Sequence, residues 1–100
     1  LAKAKALNLT PAQVYTLASI VHKETAKADE RPKVAGVYLN RLNRNMPLQA
    51  DPTVIFALKQ KSNDWSLVVK RVMHNDLIVN SPYNTYKITG LPPGPILMRF

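Results

Sequence analysis

The chain has 100 residues, 46% of them hydrophobic, and this length suits one small domain with one core but not two. It has no cysteine, which excludes disulfides, thiolate zinc sites and cysteine nucleophiles. The two histidines, His22 and His74, have no metal-ligand spacing, so we predict neither a metal nor a cofactor. The chain starts at Leu1 without Met, so we expect it to be a piece of a longer protein. We predict that residues 1–100 of this sequence form a single domain.

The formal net charge is +8, from 14 basic and 6 acidic residues. Such an excess favours a polyanionic partner: nucleic acid, anionic lipid, or an acidic polymer such as bacterial wall glycan. The basic residues are scattered, with no run of five. A solvated outer surface therefore explains the charge equally well.

The first half of the chain has the pattern of helices. Residues 1–8 resemble the end of an upstream helix. Thr10-Pro11-Ala12-Gln13 is a strong helix start, with an N-cap, an early proline and a capping box, and it predicts a helix over about 10–28. Acids followed by Pro32 predict a second helix over about 30–43, and Asp51-Pro52 repeats the signature for a third over about 52–59.

The second half has the pattern of extended segments and turns. Trp65 to Val79 fits either a short helix or an extended segment, and we favour the extended one. A turn at Ser81–Asn84, a short strand over 85–89 and a rigid proline-rich loop over 90–95 follow. The predicted class is therefore α+β, with N-terminal helices followed by extended and short-strand elements.

Glu24 is the only acid in the first predicted helix. It lies one turn after Ile20 and two turns after Leu17, so it borders the apolar stripe of that helix. Partial burial disfavours the carboxylate anion and raises its pKa, which a general acid requires. The alternative is a surface Glu that forms a salt bridge with Lys23 or Lys27.

The other acids suggest structural roles. Asp29, Glu30 and Asp51 are explained by helix capping, and Asp64 lies in a polar connection. A glycosidase with two carboxylates needs a second acid facing the first, and no position obviously supplies one. Chemistry that needs a single carboxylate is easier to accommodate.

A second group of candidates consists of polar residues within apolar surroundings. Aromatic faces beside amide and hydroxyl groups suit a carbohydrate, which has apolar ring faces edged with hydroxyls. Turn hydrogen bonds, core tyrosines and helix C-terminal capping are the structural alternatives. The candidates are Asn40, Arg41, Gln49, Asp51, Tyr83, Asn84, Thr85 and Tyr86.

Five motifs in the same order closely resemble the endolytic murein transglycosylases of the YceG-like family. They are ASIVHKET (18–25), ERPKVAGVYLNRL (30–42), LQADPTV (48–54), SPYNTY (81–86) and GLPPGPI (90–96). The resemblance implies that Glu24 is the catalytic glutamate, the second acid of the family's V-E-K-E-T phrase. His22 replaces the first acid of that phrase, which we expect to modulate the site without abolishing activity.

The resemblance also implies a reaction and a location. Members of this family are bacterial, anchored by one N-terminal membrane helix, with the catalytic domain outside the cytoplasmic membrane. They cut nascent peptidoglycan between N-acetylmuramic acid and N-acetylglucosamine and leave 1,6-anhydromuramic ends. The chain would then be the C-terminal part of the catalytic domain, with glycan strands and cell-wall synthesis proteins as partners and membrane contact only through a segment absent from it.

The sequence is also compatible with two other functions. One is a peptidoglycan-binding fragment that uses the same candidate residues without catalysis. The other is a basic helix-turn-helix-like module for nucleic acid. Against the latter, the second predicted helix carries Val34, Val37 and Tyr38 instead of a row of polar base-reading residues, and we expect no nucleic-acid partner.

Overall fold

The computed structural model describes residues 8–67, 69 and 71–96. The α-helices in this part of the chain are α1 (Pro11–Glu24), α2 (Arg31–Asn43) and α3 (Asp51–Ser62). Short 3-10 helices follow α1 at Ala28–Glu30 and α3 at His74–Ile78. The helical end predicted for residues 1–8 lies outside the described residues, apart from Asn8, which is in a turn.

The predicted start of α1 is confirmed. The Thr10 hydroxyl accepts a hydrogen bond from the Gln13 backbone N–H at 3.1 Å, and the Gln13 side chain accepts one from the Thr10 N–H at 2.9 Å. Pro11 occupies the first helical position, where its missing N–H is not needed. These reciprocal bonds satisfy two N–H groups that would otherwise lack a partner within the helix.

The predicted end of α1 is wrong, because the helix stops at Glu24 and not near residue 28. Thr25 adopts an extended backbone, with φ −144° and ψ 135°. Its hydroxyl donates a hydrogen bond to Glu30 Oε1 at 2.9 Å, which holds the connection to α2 in place. Glu24 is therefore the last residue of its helix.

The other two helices lie close to their predicted ranges. α2 begins one residue later than predicted and ends at Asn43 as predicted, whereas α3 runs three residues beyond its predicted end. α3 ends where Asn63 takes a left-handed conformation with φ 54°, which Asn tolerates better than most residues. The predicted capping role of Asp51 is wrong: Ala50 is the N-cap of α3, and no side chain caps that end.

The core lies where α1 packs against both α2 and α3. Ile20, Leu48 and Val54 have no exposed surface, and fully burying such a side chain stabilises the fold by about 1.5–3 kcal/mol. The other buried apolar side chains are Leu17, Val21, Tyr38, Ala50, Ala57 and Ile96. The C-terminal end of α1 and the N-terminal end of α3 are both attached to this core, which brings Glu24 and Asp51 into one region.

The predicted α+β class is wrong, because the described residues contain no strand or sheet. The predicted strand at 85–89 is a turn. Thr85 bonds to the start of α3 through its backbone and hydroxyl groups, so those backbone groups are not available for a sheet ladder. The segment from Trp65 to Val79, which we favoured as extended, contains the second 3-10 helix, and its residues Val68 and Lys70 lie outside the described part.

Candidate active site

Glu24 lies at the rim of the core, where α1 ends. The preceding residues Ile20 and Val21 are buried, but the Glu24 side chain is itself exposed, less enclosed than the sequence suggested. Partial burial of the carboxyl group still raises its pKa, and the negative charge of Asp51 raises it further. Glu24 can therefore hold a proton at a higher pH than an ordinary glutamate does.

Asp51 opens α3 on the side of the site facing Glu24. The Tyr86 hydroxyl donates a hydrogen bond to Asp51 Oδ1 at 2.5 Å. Burial and this bond to Asp51 raise the pKa of Tyr86 to about 12, so the phenol stays protonated and remains a donor at neutral pH. The side chain of Asp51 is thus held in place by a neutral hydrogen-bond donor.

Tyr38 and Arg41 complete the site from α2. Burial raises the pKa of the Tyr38 phenol, and the negative charge of Glu24 adds to the effect, whereas the Arg41 cation lowers it. The Arg41 guanidinium donates to the Leu48 carbonyl at 2.5 Å, which ties α2 to the segment before α3. Arg41 and Asp51, both in the described part of the chain, do not form an ion pair with each other.

These five side chains act on one another electrostatically, and we call them the acid cluster. They come from α1, α2, the start of α3 and the loop after Ser81. Its members are Glu24, Tyr38, Arg41, Asp51 and Tyr86.

Thr85 holds the loop of Tyr86 against the start of α3. Its hydroxyl accepts a hydrogen bond from the Ala50 N–H at 2.9 Å and lies 2.8 Å from the Thr53 hydroxyl. Its carbonyl accepts a bond from the Gln49 N–H at 3.1 Å. Both threonines are fully buried, so their hydrogen bonds are well shielded from water. Thr85 therefore positions Tyr86 over Asp51 from inside the protein.

Asn84 and Tyr83 are also turned inward. The Asn84 side chain is fully buried; its amide nitrogen donates to the carbonyls of Leu77 (2.9 Å) and Val79 (2.8 Å), and its oxygen accepts from the Tyr86 N–H (3.0 Å). Tyr83 is half-buried, and its ring centroid lies 4.7 Å from that of Phe56. The predicted turn at Ser81 is confirmed by the bond from the Asn84 N–H to the Ser81 carbonyl at 3.0 Å.

Asn40 and Gln49, like Asp51, are exposed members of the predicted binding set. Asn40 lies on α2, next to Arg41 in sequence. Gln49 has a left-handed backbone with φ 53°, which is unusual for a residue other than glycine. Its backbone is held there by the bond to Thr85, and its side chain is left open to solvent.

Sequence reasoning missed two features of this site. Tyr38 is absent from the predicted candidates, although it lies three residues before Arg41 and so on the same side of α2. The sequence predicts Asp51 as a capping acid and as a substrate contact, but not as a neighbour of Glu24. The spacing of Tyr38 and Arg41 could have revealed the first, but the second depends on how α1 and α3 pack.

The cluster has the components of a general acid beside a fixed negative charge. A protonated carboxyl group can donate to a leaving oxygen, and a carboxylate close by stabilises the positive charge that develops on the other side of the breaking bond. Within the described residues there is no group of three His, Cys, Asp or Glu side chains that could hold a metal ion. No helix in the same part of the chain is both long enough and apolar enough to cross a membrane.

The sequence and the fold agree with known proteins. The model of the YceG-like family matches residues 1–99. The chain belongs to the YceG-like family. This confirms the resemblance that the five sequence motifs indicated.

Curated relatives and a solved structure of the YceG-like family are similar to most of the chain. An endolytic murein transglycosylase of Bacillus subtilis (strain 168) is 45% identical over 84 residues, which are 84% of the chain and 21% of the relative. The endolytic murein transglycosylase of Streptococcus pneumoniae (strain D39) is 44% identical over 92 residues, 92% of the chain and 16% of the relative. A crystal structure of a YceG-like protein from Listeria monocytogenes is similar with a TM-score of 0.77 and 39% identity, and covers 95% of the chain and 29% of that protein. The chain thus spans about a fifth of the length of the curated relatives it matches.

Proposed function

We propose that the protein is a lytic transglycosylase that cleaves peptidoglycan between N-acetylmuramic acid and N-acetylglucosamine, with Glu24 as its general acid and base. The observation that carries the proposal is the place of Glu24, at the end of α1, close to Asp51 and at the position of the family's catalytic glutamate; partial burial there raises its pKa. The names of the curated relatives support the reaction class.

In the first step the protonated Glu24 donates its proton to the glycosidic oxygen. The bond to the anomeric carbon of the muramic acid breaks, and positive charge develops at that carbon. In the second step the ionised Glu24 accepts the proton of the C6 hydroxyl of the same sugar. The C6 oxygen bonds to the anomeric carbon and closes the 1,6-anhydro ring, so no water is consumed.

Asp51 contributes its charge to both steps. Together with partial burial, which is the larger cause, its charge raises the pKa of Glu24 and so favours the protonated acid before cleavage, and its carboxylate stabilises the cation that forms after cleavage. One oxygen of Asp51 already accepts a hydrogen bond from Tyr86, which restrains the carboxylate. We assign Asp51 this electrostatic role and not the activation of a water molecule.

The remaining candidate residues fall into two groups by their placement. Asn40 and Gln49 are exposed and Arg41 is half-buried, so they can contact the sugar or a substrate carboxylate directly. Asn84 and Thr85 are fully buried and support the site from within. Tyr83 supports the same loop through its contact with Phe56, and Tyr86 acts through Asp51.

The proposed setting follows the family resemblance. The chain would be the C-terminal part of a catalytic domain at the outer face of the bacterial cytoplasmic membrane. A single-pass anchor would lie in a segment outside these 100 residues. Glycan strands of nascent peptidoglycan are the proposed substrate, and cell-wall synthesis proteins are proposed as neighbours.

Mass spectrometry of digested peptidoglycan tests the reaction. The protein at its natural length is incubated with purified glycan strands, and the released fragments are compared with those of a muramidase that hydrolyses the same bond. The proposal predicts fragments lighter than the hydrolytic ones by the mass of one water molecule. Fragments of hydrolytic mass would refute the ring-closing step, and the absence of any fragments would favour a binding fragment without catalysis.

A further inference from the structure

A cavity of about 360 Å³ lies next to the acid cluster. Two of its lining residues are sequence neighbours of cluster members: Lys23 precedes Glu24, and Pro52 follows Asp51. Lys59 is the second cation in its wall, and all the other lining residues are apolar or aromatic. The cavity wall therefore carries two positive charges. The adjoining acid cluster, in contrast, contains two acids.

The two lysines come from different helices. Lys23 lies in the last turn of α1, and Lys59 lies in the last turn of α3. Neither forms an ion pair with any acid of the described part of the chain. Both cations are thus available to a ligand that carries carboxylates.

Aromatic side chains form part of the cavity wall. The rings of Trp65 and Phe56 meet in a tilted arrangement with centroids 5.2 Å apart. Phe56 also packs against Tyr83, so the wall is fixed by contacts with the rest of the fold. Such a wall suits the short aliphatic parts of a ligand, whereas the lysines suit its carboxylates.

We propose that this cavity binds the peptide stem of peptidoglycan, with Lys23 and Lys59 pairing with stem carboxylates and Trp65 contacting the aliphatic side chains. The identity of the polymer rests on the proposed function, since a muramic acid beside Glu24 has its peptide attached through the lactyl group of the same sugar. Charge and position favour the peptide stem as the ligand. The stem is anionic, and its point of attachment to the sugar lies beside the cavity.

Tryptophan fluorescence tests the proposal directly, because Trp65 lines the cavity. The Glu24→Gln variant at its natural length is titrated with a synthetic stem tetrapeptide that carries free carboxylates. A second titration uses the same peptide with its carboxylates converted to amides. We expect a saturable change in emission with the free acid and affinity lower by about tenfold or more for the amide. A Trp65→Phe variant shows which part of the signal comes from the cavity.

Matched lysine variants locate the site. Lys59→Ala should weaken binding of the free acid about fivefold, with little effect on the amide, and Lys59→Arg should restore most of the affinity. Lys61→Ala is the control, because Lys61 is an exposed residue of the same last turn and does not line the cavity. Equal affinity for acid and amide, or equal effects of the two alanine variants, would overturn the proposal.

The outcome is independent of catalysis. Peptide binding by a protein that releases no glycan fragments would support the cavity assignment and refute the proposed reaction. Cleavage of glycan strands by a protein that binds no stem peptide would leave the reaction intact and refute the cavity assignment.

Discussion

Asn84→Ala should destabilise the fold by about 3 kcal/mol. The buried side chain makes three hydrogen bonds: two donated to the carbonyls of Leu77 and Val79, and one accepted from the Tyr86 N–H. Each net hydrogen bond contributes roughly 0.5–1.5 kcal/mol, and a buried group left without a partner costs about 1–3 kcal/mol. Leu77 and Val79 are half-buried, so water can partly replace the lost hydrogen bonds to their carbonyl groups. The expected loss of stability therefore stays at about 3 kcal/mol.

Urea denaturation followed by circular dichroism measures this loss. Asn80→Ala is the matched control, because Asn80 is an exposed asparagine four residues earlier, and its replacement should change the free energy of unfolding by less than about 0.5 kcal/mol. A loss below about 1 kcal/mol for Asn84→Ala would contradict the structural role. If in addition the variant raised KM while remaining fully folded, Asn84 would be a substrate contact, as the sequence predicted.

Three further predictions concern the acid cluster. Burial raises the pKa of Glu24 most, and the charge of Asp51 adds to the effect, so Asp51→Asn should lower this pKa and move the alkaline limb of the kcat/KM profile to lower pH. An unmoved limb would contradict the coupling between the two acids. Tyr86→Phe should lower kcat about tenfold with the fold intact, whereas the exposed Tyr15→Phe should change it little, and equal effects would remove the role of the Tyr86–Asp51 bond. The pKa of Glu24 is higher in the folded state than in the unfolded state. Ionisation of Glu24 therefore lowers the stability of the fold, and this loss begins only above the unfolded pKa of about 4.3. Glu24→Gln should therefore raise the Tm at pH 7 and not at pH 4, and an equal gain at both values would argue against the raised pKa.

Local signals in the sequence predicted the helix starts well. A proline at the first helical turn and a capping box at Thr10 depend only on neighbouring residues, and the structure shows both. The end of α1 was harder to place, because it depends on Thr25 bonding to Glu30 across the turn. The apolar periodicity continues through Thr25 and does not indicate that bond.

The strand prediction failed for a related reason. Alternating polar and apolar residues after Thr85 are compatible with a strand, but a strand needs a partner to bond its backbone. In the structure the backbone and hydroxyl of Thr85 bond to Gln49, Ala50 and Thr53, which are more than thirty positions away. No local pattern reveals a partner at that distance.

The candidate site was predictable in part. Glu24 is a candidate from its place on the helix and from the family motif, and its role stays a prediction. Its pKa is raised in the structure by partial burial at an exposed rim and by the charge of Asp51. The hydrogen bond between Tyr86 and Asp51 spans 35 residues, so both were named as candidates but not as a pair. Pairwise geometry of this kind comes from packing, not from spacing in the sequence.

The role of Glu24 is tested most directly by the rate at which Glu24→Gln releases fragments from purified glycan strands. Glutamine keeps the shape of the side chain and removes the transferable proton, so the rate should fall by about 10²- to 10⁴-fold. Asp29→Asn, at an exposed acid in the 3-10 turn before α2, should retain the parental rate within about twofold. An undiminished rate in Glu24→Gln would contradict the account, because another group would then be the acid.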